Sequence, residues 1–155
     1  MNAMIVCAHC STSLRSGQTY CDECGSLIHA NRDNVLTIEC EAHPDHRAVG
    51  LCVVCAKPVC IDCEVKTAGK ILCHDPEHGK VLQEWRKIFQ PDSEFEAEAL
   101  VRNLADNGIA AKTFSLHDHV ATRWLNEIRI FLFVKISESE QAVTFLKELN
   151  LIDSD

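Results

Sequence analysis

Between Cys40 and His78 the chain spaces its cysteines and histidines as metal ligands are spaced, and no other feature limits its fold so strongly. The order is Cys40-x2-His43, Cys52-x2-Cys55, Cys60-x2-Cys63, then Cys73 and His74, and finally His78. Soft thiolates and imidazoles repeated two residues apart suit tetrahedral zinc, because a tight turn can aim both members of a pair at one ion. Two pairs complete one site, so this stretch is expected to hold two ions.

The same grammar opens the chain. Cys7 and Cys10 form one pair, Cys21 and Cys24 another, and Gly25 follows the second pair where a turn needs a permissive backbone. The polar run Ser11 to Tyr20 between them is expected to make a hairpin excursion, and His9, inside the first pair, to point outward. All ten cysteines precede His74. If Cys73 is a ligand, every cysteine is assigned and three zinc ions are expected per chain. Two ambiguities remain in this count: His46 competes with His43, and His74 with Cys73. The x2 spacing favours His43, and the stronger bond of a thiolate to zinc favours Cys73.

Ten cysteines could instead make a disulfide scaffold, which requires an oxidising compartment. Residues Met1 to Val6 carry neither a basic stretch nor a long apolar run, so zinc in a reducing cytoplasm is the expectation. Four thiolates could also hold a single iron, although the closely spaced cysteine run of a bacterial ferredoxin is absent. The formal charge of -8, with no run of lysines or arginines, argues against a nucleic-acid partner. Catalysis is not expected either. Each zinc can be closed by four protein ligands, and the sequence has no His-Glu-x-x-His and no deaminase-type signature.

The run from Cys40 through Lys57-Pro-Val-Cys60-Ile-Asp-Cys63 to His78 resembles a B-box zinc finger. The resemblance implies cross-bracing, in which the first and third ligand pairs share one zinc and the second and fourth the other. One site would then be Cys40, His43, Cys60 and Cys63. The other would be Cys52, Cys55, His78 and either Cys73 or His74. The spacer Glu64 to Leu72 is longer than is usual in that family. Residues 1 to 30 likewise resemble a small zinc ribbon.

The half without cysteines reads as strand, helix, strand, strand, helix. Val81, Leu82, Trp85, Ile88 and Phe89 are expected to form the first strand. Ser93 and Glu96 make a capping box for a helix whose apolar stripe runs through Phe95, Ala97, Leu100, Val101, Leu104 and Ala105 to a stop at Asn107-Gly108. A strand over 109–115 follows. In the next strand Ile128, Ile130, Leu132, Val134 and Ile136 share one face, with Arg129, Phe131, Phe133 and Lys135 on the other. The two phenylalanines indicate that this second face is also covered. Ser137 and Glu140 suggest a second capping box for a last helix through Ala142, Val143, Phe145, Leu146 and Leu149. His117 and His119 could share a strand face, but in a loop they are solvated polar residues.

Ser93 to Leu100, the Leu104-Ala-Asp-Asn-Gly-Ile-Ala110 passage and the turn from Val134 to Leu149 resemble the small bacterial domains described as prokaryotic signal-transducing proteins. Those domains are ferredoxin-like and share their general shape with the nitrogen-regulatory PII proteins. The expected architecture is therefore α+β. It has a zinc-ribbon-like module with its connector over 1–39, a cross-braced B-box-like module over 40–80 and a ferredoxin-like βαββα domain over 81–155. The expected function is protein interaction or regulatory signalling, through a protein partner or a homodimer. A nucleic-acid-binding zinc protein, a zinc-dependent enzyme and a metal sensor are the alternatives.

Overall fold

The computed structural model describes residues 5–28, 38–115 and 130–152. His117, His119, Ile128 and Arg129 lie outside them. The architecture is mixed α+β, with small antiparallel sheets and three α-helices among the described residues. It divides into two compact units between Gly79 and Lys80. No helix among the described residues is long and apolar enough to cross a membrane.

The first unit is built from pieces too short to be stable as a sheet. β1 (Ile5–Val6) pairs with β2 (Ser13–Leu14), β3 (Gly50–Leu51) with β4 (Pro58–Val59), and β5 (Val65–Thr67) with β6 (Lys70–Leu72). The hairpins thus wrap the cysteine turns. Ser11 to Tyr20 does not form a hairpin of its own, because its first half pairs back onto Ile5 and Val6. Tyr20, Leu51, Val54, Val59 and Leu72 are buried, and nine of the ten cysteines are buried among them.

Residues 81–84, expected as strand, are helical. α1 runs Pro76–Glu84. Asp75 caps it by accepting from the Glu77 N–H at 2.9 Å, and Pro76 takes the first helical position, where its missing N–H costs nothing. The strand begins only at β7 (Trp85–Phe89).

The second unit continues with α2 (Glu94–Asp106), β8 (Ala111–Ser115), β9 (Ile130–Lys135), a single 3-10 turn over Ile136–Glu138 and α3 (Ser139–Glu148). The sheet order is β7-β9-β8, with β9 antiparallel to both neighbours. Ser93 caps α2, its Oγ accepting from the Glu96 N–H at 3.1 Å. Glu96 returns the bond to the Asp92 N–H at 2.8 Å. Gly108, at φ +75, carries the chain out of the helix. One face of the sheet packs Leu132 and Val134 against Leu100 and Leu104 of α2 and Ala142 and Leu146 of α3.

The other face pairs Lys87 and Lys112 with Phe133, and Phe114 with Phe131. Phe131 and Phe133 are both buried. Lys87 Nζ lies 4.6 Å from the Phe131 ring centre and Lys112 Nζ 4.1 Å from that of Trp85, so lysine stems and ammonium groups close over the aromatic rings.

Three expectations fail in detail. Phe95 is 84% exposed and not part of the buried stripe, since Ala97, Leu100 and Leu104 already supply the inward face of α2. The Ser137–Glu140 capping box does not form. Ile136 to Glu138 turn as 3-10 helix, α3 starts at Ser139, and the Ser139 hydroxyl donates to the Ile136 carbonyl at 2.8 Å. Ile136 has therefore left the strand and is exposed.

Candidate metal centres

The cysteine pairs are presented by a repeated backbone device. In the turns of Cys7, Cys21 and Cys52, the N–H four residues on donates to the first cysteine's carbonyl at 2.9, 2.8 and 2.7 Å. The first cysteine's own N–H donates to the carbonyl five residues on, Thr12, Ser26 or Lys57, at 2.8 to 2.9 Å. The residue after each pair, Ser11, Gly25 or Ala56, sits at positive φ (61, 82 and 53°), which turns the chain back and leaves both sulfurs on the inside. The Cys60 turn shares the first of these bonds, from the Glu64 N–H to the Cys60 carbonyl at 2.9 Å, and adds a second from the Cys63 N–H at 3.0 Å. Cys40 and His43 stand on a loop closed by the Cys40 N–H donating to the His46 carbonyl at 2.8 Å.

These devices gather twelve side chains into three groups, within each of which the ligand atoms all lie within 4.8 Å of one another. Site 1 is Cys7, Cys10, Cys21 and Cys24; site 2 is Cys40, His43, Cys60 and Cys63; site 3 is Cys52, Cys55, Cys73 and His78. Sites 2 and 3 interleave along the sequence. His74, the competitor of Cys73, is exposed and faces the Asp62 carbonyl at 3.3 Å. His9 is exposed as well.

The donor sets fit a four-coordinate thiophilic cation. A tetrahedron with Zn–S near 2.3 Å has S···S edges of about 3.8 Å, and slightly shorter S···N edges. Sulfurs are separated by 3.7 Å for Cys7 and Cys24, 3.5 Å for Cys10 and Cys21, and 3.9 Å for Cys55 and Cys73. His43 Nδ1 lies 3.9, 3.6 and 3.1 Å from the sulfurs of Cys40, Cys60 and Cys63. His78 Nδ1 is 3.5 Å from Cys52 and 3.2 Å from Cys73.

In site 3 the crowded side chains shift one another's titration. Among the side chains alone, hydrogen bonding from Cys55 and Cys73 holds the Cys52 thiol down to about 3. The contacts with Cys52 and Cys73, with burial, push Cys55 up. The group thus keeps an anionic sulfur in a buried place, and a metal would release the remaining thiol protons. His78 is raised chiefly by its hydrogen bond with Cys73. Its far nitrogen, Nε2, lies 3.6 Å from an Asp75 carboxylate oxygen, the outer partner that orients a ligating imidazole. Asp75 therefore both caps α1 and steers the ligand that α1 carries. In site 1 the Thr12 and Ser26 hydroxyls lie 3.3 Å from the sulfurs of Cys10 and Cys24 and can donate to them as thiolates.

Site 1 is not independent of the other two. The Leu51 N–H donates to the Gly25 carbonyl at 2.8 Å, and the Ile71 N–H to the Cys24 carbonyl at 2.9 Å. Lys70 adds bonds to the Glu23 carbonyl, at 3.0 Å, and to its carboxylate. Comparison of the chain with protein-family models, curated proteins and solved structures finds no match.

The choice between the adjacent candidates is testable by native mass spectrometry of zinc-loaded protein. Cys73→Ser is expected to lose one zinc of three, and His74→Ala to keep all three. The reverse pattern would reassign site 3.

Proposed function

We propose that the chain is a non-enzymatic zinc-binding adaptor for protein interaction or regulation, holding three zinc ions as folding devices. The observation that carries this reading is that each of the three groups already supplies four protein ligands at tetrahedral spacing. A catalytic zinc keeps a position for water or substrate. The interleaving of sites 2 and 3 supports a B-box-like cross-brace, and the hairpin-wrapped pairs of site 1 support a ribbon-like module. In the second unit, β7 and β8 are parallel strands split by an antiparallel β9, with α2 and α3 packed on one face. That arrangement supports the ferredoxin-like, signal-transducing reading.

For a partner surface, the zinc unit offers Ile61 at the tip of the Cys60–Cys63 turn, 68% exposed on a backbone that its ligands would hold rigid. An apolar side chain on a rigid turn suits a protein partner, a second copy of the chain included. The acidic balance of the chain suits nucleic acid poorly. The reading places the protein in a reducing cytoplasm, where the thiolates stay available to metal.

Cobalt substitution tests the closed sites. The visible ligand-field bands of the cobalt-loaded chain are expected to stay unchanged when azide or thiocyanate is added. A shift would reveal an open coordination position and overturn the scaffold reading. A photo-reactive residue in place of Ile61 is expected to cross-link to protein; cross-linking to nucleic acid would overturn the partner class.

A further inference from the structure

Site 2 differs from its neighbours on one side. His43 is exposed there, and beyond it stands a second imidazole, His46, stacked on the first with ring centres 5.2 Å apart and planes inclined by 28°. His46 Nδ1 lies 3.5 Å from an Asp62 carboxylate oxygen. His46, Asp62 and the Cys60 sulfur each offer one ligand atom, and these atoms lie within 4.8 Å of one another. Cys60 is already a member of site 2.

We infer that His46, Asp62 and Cys60 form a fourth, solvent-facing metal subsite that takes a second zinc-type dication and shares the Cys60 thiolate with site 2. The inference rests on reading site 2 as a zinc site. A thiolate bound to one ion keeps further lone pairs and can bridge to a second. Three thiolates and one imidazole around a dication leave site 2 with a net charge of -1, and the Asp62 carboxylate adds another negative charge beside it. Both attract a further cation in a way that a neutral cluster would not. Imidazole, carboxylate and thiolate are all accepted by zinc. His46 and Asp62 are exposed, so small side-chain rotations bring them to coordination distance, and solvent completes the shell.

Neither of the other sites has such a shoulder among the described residues. The outer partners of site 1 are the hydroxyls of Thr12 and Ser26, and Asp75 beside site 3 is engaged with the His78 ring and the α1 cap. With an open shell and only one undivided charge, the fourth subsite holds its ion more weakly than the closed sets.

The test is a titration of the full chain with zinc against a chromophoric chelator, with native mass spectrometry as the count. Wild type is expected to show three tight equivalents and a fourth, weaker one. His46→Ala and Asp62→Asn are each expected to lose the fourth and keep the three, because the His46 carbonyl that closes the Cys40 loop survives the substitution. In cadmium-113-loaded protein, two of four resonances should couple to each other through the shared sulfur. Three equivalents and no fourth would overturn the subsite alone. A fourth equivalent that persists in both variants would mark adventitious surface binding and overturn it too. Fewer than three tight equivalents would overturn the reading of sites 1 to 3, and the subsite with it.

Discussion

Chelation at neutral pH is expected to abolish amide-exchange protection across residues 5–79 while leaving β7 to β9, α2 and α3 protected. In the first unit every strand among the described residues is two or three residues long, and about half of the buried residues are the ligands themselves. Fixing a residue's backbone costs about 1–2 kcal/mol, and such short ladders cannot offset that over the whole unit. A structural zinc contributes on the order of 10–16 kcal/mol at pH 7, so three ions supply what the core does not. Without them, four sulfur or imidazole groups crowded within 4.8 Å at each site would have to share protons or repel.

The second unit depends on none of this. Its core of Leu100, Leu104, Ile109, Leu132, Val134, Ala142 and Leu146 is aliphatic, and no cysteine lies beyond Cys73. Hydrogen exchange read by mass spectrometry, with and without chelator, separates the two responses. Loss of protection in both units together would mean that they share one core.

The parts of this architecture that the sequence discloses are those in which chemistry and position coincide. Four x2 cysteine pairs announce four turns, because ligand spacing is a local property. The partnering of those turns is a long-range property, and only the resemblance to a cross-braced finger pointed to it. Cys73 and His74 are adjacent and both competent ligands; what separates them is the strand β6 leading into Cys73, which turns the sulfur inward and the imidazole out.

The helix that starts at Pro76 carries a sequence signal of its own. Asp75-Pro76-Glu77 is a cap, a first-turn proline and an acidic residue in succession. The apolar spacing of Val81, Leu82 and Trp85 suits a strand nearly as well, so the local pattern points both ways. The Ser137–Glu140 box failed for a tertiary reason. Glu138 accepts from the Ala110 N–H at 2.6 Å, which ties the 3-10 turn to the start of the β8 segment, and no local pattern records that bond. His46 and Asp62, sixteen residues apart, meet only because the Cys40 loop and the Cys60 turn serve one site.

Gly25→Ala is expected to destabilise the zinc-loaded first unit by about 3–5 kcal/mol, whereas Gly17→Ala should cost only about 1–2 kcal/mol. The two glycines have the same φ, +82°, so backbone strain is common to both. A Cβ at Gly17 would meet nothing within 4 Å. At Gly25 it would fall 2.1 Å from the Leu51 carbonyl oxygen and 3.1 Å from Ile71 Cβ. Neither neighbour can withdraw freely, since the Leu51 N–H is bonded to Gly25 itself and the Ile71 N–H to Cys24. Relief therefore breaks one or both of those bonds. Positive φ alone is not the obstacle, because Ser11 and Ala56 hold the same place in their own turns with a side chain present.

What is particular to Gly25 is that the backbone of site 1 rests directly on the backbone that carries sites 2 and 3. Thermal midpoints of the zinc-loaded variants measure the contrast. Similar losses for the two glycines would mean that the contact can open at little cost. A much larger loss for Gly25→Ala is the expected result and locates the cost in the close approach of Leu51 and Ile71 to the site 1 turn.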